Sequence, residues 1–440
     1  MQEVLTNYGR VKGLDRGDHR VFLGIPYAQP PVGALRWHRP LPPLPWDGTY
    51  NADRFPPQSM SAGYADPLFQ KEFYDDPVYI TACSEDSLYL NIWTPAADAS
   101  EGLPVAFWIH GGAFLGGCGH EKEFDGAAYC RRGVILVTVN YRVGPFGFLA
   151  HPWLSEEAGA EGGPAVSGNY GTLDQIAALR WVRENIAAFG GDPERITVFG
   201  QSAGGMSTQT LLTSPLTAGM FRGAILQSCL GLEYDHDLAS AEALGIRFAE
   251  SAGARNLKEL RALPPDKVLS LSLPLTLEGF ATDRLPYTPV LDGWVLTRGF
   301  DEAMENGSTH AVPTIAGSTL NDIRTDPKAI SEGDRGIVYS RSFAWAQAQR
   351  RHGRPAWCYD FVHQLPGDNA GAFHSSELWY MFGTLDRCWR PWTAQDRALS
   401  ERMLDYWTNF IKTGDPNGPG LPFWKTCESL ADVMTFDIQE

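Results

Sequence analysis

The chain has 440 residues, 43% apolar and 20% charged, which suits one large or two ordinary domains with a substantial core. A net charge of −16 without any basic cluster argues against a nucleic-acid partner, and no apolar run reaches the roughly 20 residues that span a bilayer. The seven cysteines lack Cys-x-x-Cys spacing, which argues against zinc and fits a reduced compartment; the start, MQEVLTNYGRVKGL, shows no leader pattern, so a cytoplasmic protein is expected.

In chain order, the first 60 residues are rich in Pro and Gly and predict turns and edge strands. Val105–Ile109 and Val134–Tyr141 are continuous apolar runs of strand length. Asp174–Phe189 carries Ile176, Leu179, Val182, Ile186 and Phe189 at helical spacing and is stopped by Gly190-Gly191-Asp192-Pro193. Arg195–Phe199 reads as a strand and Ala203–Ser214 as the helix after it. Gly223–Gln227, Pro313–Ala316 and Trp357–Val362 read as further strands, and Gln395–Lys412 as a long helix. Strands alternating with helices predict a mostly parallel sheet covered on both faces. Segments 239–286 and 324–350 are the candidates for a cap beside it, in a chain expected to form a single domain over 1–440.

Two motifs bear on chemistry. Val198–Ser207, VFGQSAGGMS, sets Ser202 between glycines after a strand, the pattern of a nucleophile on a sharp strand-to-helix turn. By itself it is equally a small polar residue in a tight turn. The second is His110-Gly111-Gly112-Ala113-Phe114, at the end of another strand. Acyl transfer needs preorganised N–H donors for the charge that collects on the carbonyl oxygen. In α/β-hydrolases such donors come from a loop of this kind and from the residue after the nucleophile, here Gly112, Ala113 and Ala203. Serine needs a base, and the order Ser…Asp/Glu…His leaves His310, His352, His363 and His374 open.

The sequence resembles the type-B carboxylesterases, the family of the cholinesterases and bacterial para-nitrobenzyl esterases. Phe22–Trp37 (FLGIPYAQPPVGALRW), Ser84–Trp93 (SEDSLYLNIW), Asn140–Leu149 (NYRVGPFGFL) and Phe199–Ser207 (FGQSAGGMS) carry the resemblance across nearly the whole chain. It implies an α/β-hydrolase fold, a serine esterase mechanism, a small-molecule ester substrate, and no cofactor or metal. Gly371–Phe382, GAFHSSELWYMF, resembles the family's histidine segment and selects His374. The family's glutamate falls on Asp322, with Asp326 as runner-up; an aspartate is one methylene shorter, so the histidine loop must sit closer. Gln201 replaces the glutamate often found before the nucleophile, which weakens the case for cationic alcohols. Ser228 resembles a buried serine that supports the histidine–acid pair. Arg36 with Glu85, and Arg142 with Asp174, resemble structural ion pairs. Ser87 stands where the family has a cysteine. The interval from Asp322 to His374 is short for the family, which implies either a reduced helical cap with a wider gorge or a stretch removed from this interval.

The reading is a carboxylic ester hydrolase with Ser202, His374 and Asp322 as its triad, acting on apolar short to medium acyl or aryl esters. Phe114, Leu115, Trp379 and Tyr380 are the expected pocket walls. The rival readings are a catalytically inactive binding or adhesion protein of the same fold, and a lactonase, amidase or transacylase using the same triad.

Overall fold

Along Leu103–Ile109, Val105, Phe107 and Ile109 enter one apolar core while Ala106 and Trp108 enter another. Ile135, Val137 and Val139 join the first core and Leu136 the second. Successive side chains of a strand point to opposite faces, so an unbroken apolar run buries both faces of the sheet. The computed structural model describes residues 2–63, 66–231 and 236–438.

The sheet has ten strands: β1 (Leu14–Asp15), β2 (Arg20–Pro26), β3 (Tyr89–Thr94), β4 (Leu103–Ile109), β5 (Ile135–Val139), β6 (Gly191–Gln201), β7 (Gly223–Gln227), β8 (Thr314–Thr319), β9 (Ala356–Phe361) and β10 (Met434–Phe436). Their order is β10-β9-β8-β7-β6-β4-β5-β3-β2-β1. From β5 through β10 every neighbouring pair is parallel, and β3, β2 and β1 add an antiparallel edge. The Pro- and Gly-rich start also supplies a small separate sheet from Glu3–Thr6, Gly9–Lys12 and Thr49–Asn51.

The helix expected over Asp174–Phe189 begins earlier, at Tyr170, and turns into a 3₁₀ segment over Ile186–Phe189, capped by Gly190 at φ 84°. The long C-terminal helix runs Ala394–Thr413, opened by a Thr393/Asp396 capping box. Two bidentate ion pairs pin loops against the sheet. Arg36 binds Glu85 at 2.6 and 2.5 Å, and Arg142 binds Asp174 at 2.7 Å twice. Ser87 meets Ser59 at 3.0 Å, a hydrogen bond at the position where the resembled family has a cysteine.

Segment 239–286 folds into helices Leu238–Ser251, Leu257–Arg261 and Pro265–Thr282. Segment 324–350, the second cap candidate, holds the short helix Pro327–Ser331 and a longer one. Its main helix, Gly336–Arg351, lies on β8 and β9, with Trp345 buried and its indole N–H donating to Thr314 Oγ1 at 3.0 Å. Val338, Trp345, Ala346 and Ala348 form a buried stripe, and the sheet face is the apolar surface that covers it.

Candidate active site

Strand β6 ends at Gln201, a helix starts at Ala203, and Ser202 between them takes φ 56° and ψ −128°. That conformation is costly for a residue with a side chain. It is held by the Ser202 N–H, which donates to the Gln227 carbonyl at 2.9 Å. Only glycine lets the following helix approach β4 so closely: a methyl on Gly204 would stand 2.0 Å from the Ile109 carbonyl oxygen.

The loop after β4 turns through Gly112, Ala113 and Phe114 at φ 105°, 55° and 58°. Among the described residues, the N–H groups of Gly112, Ala113 and Ala203 donate to no protein acceptor, and all three residues line the cavity that holds Ser202. His110 beneath them is a structural residue. Its ring stacks on Tyr141 with centroids 4.4 Å apart, and burial pushes its imidazole down to about 4.

The loops after β8 and β9 bring acid and histidine together. Asn321 N–H donates to the Ala372 carbonyl, and Ala372 N–H donates to Asn321 Oδ1, each at 2.9 Å. This stitch draws the histidine loop close enough for the shorter aspartate: His374 Nδ1 lies 2.5 Å from Asp322 Oδ1. Asp322 also accepts from the Thr319 and Ile323 N–H groups at 3.1 and 2.8 Å. Burial pushes the Asp322 carboxyl up, but the charge and hydrogen bond of His374, with Ser228 and the Thr319 N–H, outweigh it and hold the group below its ordinary value. Burial likewise pushes His374 down, and the charge and hydrogen bond of Asp322 more than reverse it. Ser228 sits buried beside this pair at φ 50°.

Asp326 is exposed and caps the helix Pro327–Ser331, accepting from the Lys328 N–H at 2.9 Å. The other three histidines are engaged elsewhere: His310 with Thr217 and Ser214, His352 with the Glu305 carbonyl, and His363 with Asp396.

The cavity has a volume of about 440 Å³ and contains Ser202, His374, Gln201 and the donor loop. Of the four residues read as pocket walls, Phe114 lines it, and Leu115, Trp379 and Tyr380 do not. Leu115 packs against the core. On the helix Leu378–Phe382 each residue is rotated about 100° from the last, so Leu378 faces the cavity while Trp379 donates to Glu72 at 3.0 Å and Tyr380 to Asp396 at 2.7 Å. Residues the motifs left unmarked supply much of the wall: Phe69, Phe73, Phe124 and Phe280, with Glu121 and Glu123. Their segments carry no signature in the sequence, and only folding brings them to the cavity of Ser202.

Two further features concern His374. Gln201 Nε2 lies 3.2 Å from His374 Nε2, while the Ser202 hydroxyl makes no protein hydrogen bond among the described residues. Glu377, in the histidine segment, is fully buried; burial, with the charge of Asp322, pushes its carboxyl up to about 7.

A mostly parallel sheet with Ser202, the glycine loop, Asp322 and His374 all in the loops that follow the C-terminal ends of its strands defines the α/β-hydrolase class. The model of the carboxylesterase family matches residues 1–334 and 334–440, its two stretches meeting inside the short interval between Asp322 and His374. Fumonisin B1 esterase of Sphingopyxis macrogoltabida is 34% identical over 99% of this chain and 86% of its own length. Para-nitrobenzyl esterase of Bacillus subtilis is 33% identical over 99% and 95%. A Geobacillus stearothermophilus carboxylesterase structure superposes with a TM-score of 0.82 at 33% identity, covering 100% of this chain and 96% of that one. The chain belongs to the carboxylesterase family and is a carboxylic ester hydrolase. The adhesion-protein reading thereby loses its ground.

Proposed function

We propose that Ser202 is the nucleophile of this hydrolase, His374 its general base and Asp322 the group that orients the imidazole. The observation that carries the reading is the 2.5 Å contact between His374 Nδ1 and Asp322 Oδ1 at a cavity that also holds Ser202. With Nδ1–H engaged by the carboxylate, Nε2 carries the lone pair that takes the Ser202 proton. For that transfer the Gln201 amide yields its place at Nε2 as the substrate binds, a tightening common on going from free enzyme to complex. The Ser202 oxygen attacks the ester carbonyl, and the oxyanion accepts hydrogen bonds from the Gly112, Ala113 and Ala203 N–H groups. Protonated His374 passes its proton to the departing alcohol, and water activated by the same base releases the acid from Ser202.

The phenylalanine-rich wall supports apolar short to medium acyl or aryl esters as substrates. Hydrolysis of para-nitrophenyl acetate and butyrate tests the assignment. Ser202→Ala should lose at least about a thousandfold in kcat/KM; equal rates for the variant and the wild type would refute it.

A further inference from the structure

The helix Pro265–Thr282 is apolar on its solvent side as well as on its packed side. Val268, Ser272, Leu275 and Gly279 form its buried stripe. At about 100° per residue, Leu273, Leu277 and Phe280 share a face well away from that stripe. They are 48%, 59% and 58% exposed, with Pro274 and Ala281 exposed beside them. A helix on a protein surface ordinarily turns charged and polar residues to the water. Here the charges stand at the margins of the face: Asp266 in the first turn, and Glu278, which binds Arg247 at 2.6 and 3.2 Å. The face leads to the site, because Phe280 also lines the cavity that contains Ser202. The helix end is fixed there. A methyl on Gly279 would stand 2.7 Å from Pro286 and 2.8 Å from the Arg284 carbonyl oxygen, so the chain folds back tightly against it. Arg324, two positions after Asp322, donates to Asp283 Oδ1 at 2.5 Å and ties the helix end to the acid loop. The charged groups of the cavity wall at this end, Asp283, Arg284 and Arg324, follow Phe280 and are of both signs.

A contiguous exposed apolar face with a polar rim marks a place where something apolar docks. Two observations choose the occupant. The first is continuity: whatever rests on Leu273 and Leu277 also reaches Phe280 and the cavity mouth, so it is placed to deliver substrate to Ser202. The second is charge: a chain with a net charge of −16 is repelled by a second copy of itself and by an anionic surface alike. A neutral apolar surface meets neither penalty. We infer that the face of Leu273, Leu277 and Phe280 docks on the surface of an aggregated neutral ester, a glyceride droplet, and holds the cavity mouth against it. The inference rests on the esterase reading and extends its substrates from dissolved esters to esters gathered in an oil phase.

The test is flotation with triolein droplets coated in phosphatidylcholine, for wild type, the double variant Leu273→Ser/Leu277→Ser and the milder Leu277→Gln. Wild type should float with the droplets. The double variant should partition at least about tenfold less, since two leucine side chains no longer leave water on docking, and Leu277→Gln should fall between. Neither leucine lines the cavity, so unchanged hydrolysis of dissolved triacetin marks a variant as folded. Wild type that stays in the aqueous layer would overturn the inference whether or not a variant folds, and so would flotation that survives in the double variant. Equal or stronger flotation with phosphatidylglycerol-coated droplets would overturn the neutral occupant. A dimer of wild type in sedimentation that the double variant lacks would assign the face to a second copy of the chain instead. Because flotation reads binding without turnover, its failure leaves the Ser202 assignment standing, and failure of Ser202-dependent hydrolysis would sink the triad alone.

Discussion

Asp322→Asn is the most searching substitution in the site. The carboxylate is 4% exposed and touches His374 Nδ1 at 2.5 Å, so its charge is neither screened by water nor replaceable by it. Asparagine keeps the shape but removes the charge that stabilises the imidazolium, and its amide can favour the wrong tautomer. For a triad of this kind the expected loss is about 10³–10⁴ in kcat, equivalent to about 4–5.5 kcal/mol of transition-state stabilisation. The pH profile carries a second signature. His374 sits above its ordinary value of 6.5 because Asp322 overrides burial. In the proposed mechanism the base is the neutral imidazole, so activity should fall as pH drops through that raised value. Without the carboxylate, burial dominates and the acid limb should move to lower pH. Stability follows the same linkage. The depressed Asp322 pKa contributes stability that is present above its ordinary value of 3.8 and lost as pH falls through the lower folded value, and the variant should lack that contribution. The assay is kcat/KM for para-nitrophenyl acetate from pH 5 to 9, with Asp326→Asn alongside. A loss under about tenfold, an unmoved acid limb, or an equal loss in Asp326→Asn would refute the reasoning.

Gln201→Glu places a negative charge within reach of His374 Nε2, 3.2 Å from Gln201 Nε2, so the acid limb of the same profile should move to higher pH; an unchanged limb would count against the contact. Gly204→Ala forces a methyl to 2.0 Å from the Ile109 carbonyl oxygen and should destabilise the fold by about 1–3 kcal/mol in thermal unfolding, since backbone on both sides must move. Arg142→Met leaves the fully buried Asp174 without its partner, at a cost of about 3–5 kcal/mol, while adding Asp174→Leu should recover part of it. Denaturant midpoints measure both, and a single variant as stable as wild type would show that the pair is not coupled.

Much of this architecture is local and therefore legible in the chain. Val105–Ile109 had to be a doubly buried strand, because an unbroken apolar run of that length has no solvent face. Glycines flanking Ser202, and the pair at Gly111 and Gly112, mark backbone that side chains would obstruct. Those signals, with the resemblance they support, located Ser202, His374 and the donor loop at strand ends. The pocket walls were another matter. Trp379 and Tyr380 stand beside the histidine in sequence, but helical rotation turns them toward Glu72 and Asp396. The helix Gly336–Arg351, in a segment read only as a cap candidate beside the sheet, covers the sheet face where its apolar stripe finds a surface.

The sequence by itself determined the strands and helices it predicted, the turn that presents Ser202 and the glycines of the loop after β4, because each depends on neighbours within a few positions. Tertiary structure alone decided how an aspartate reaches His374, through the Asn321–Ala372 stitch. It alone decided that Phe69, Phe280, Glu121 and Glu123 share a cavity with Ser202. Those contacts join segments tens to hundreds of residues apart, and no local pattern of charge or hydropathy encodes which distant surface a side chain will meet.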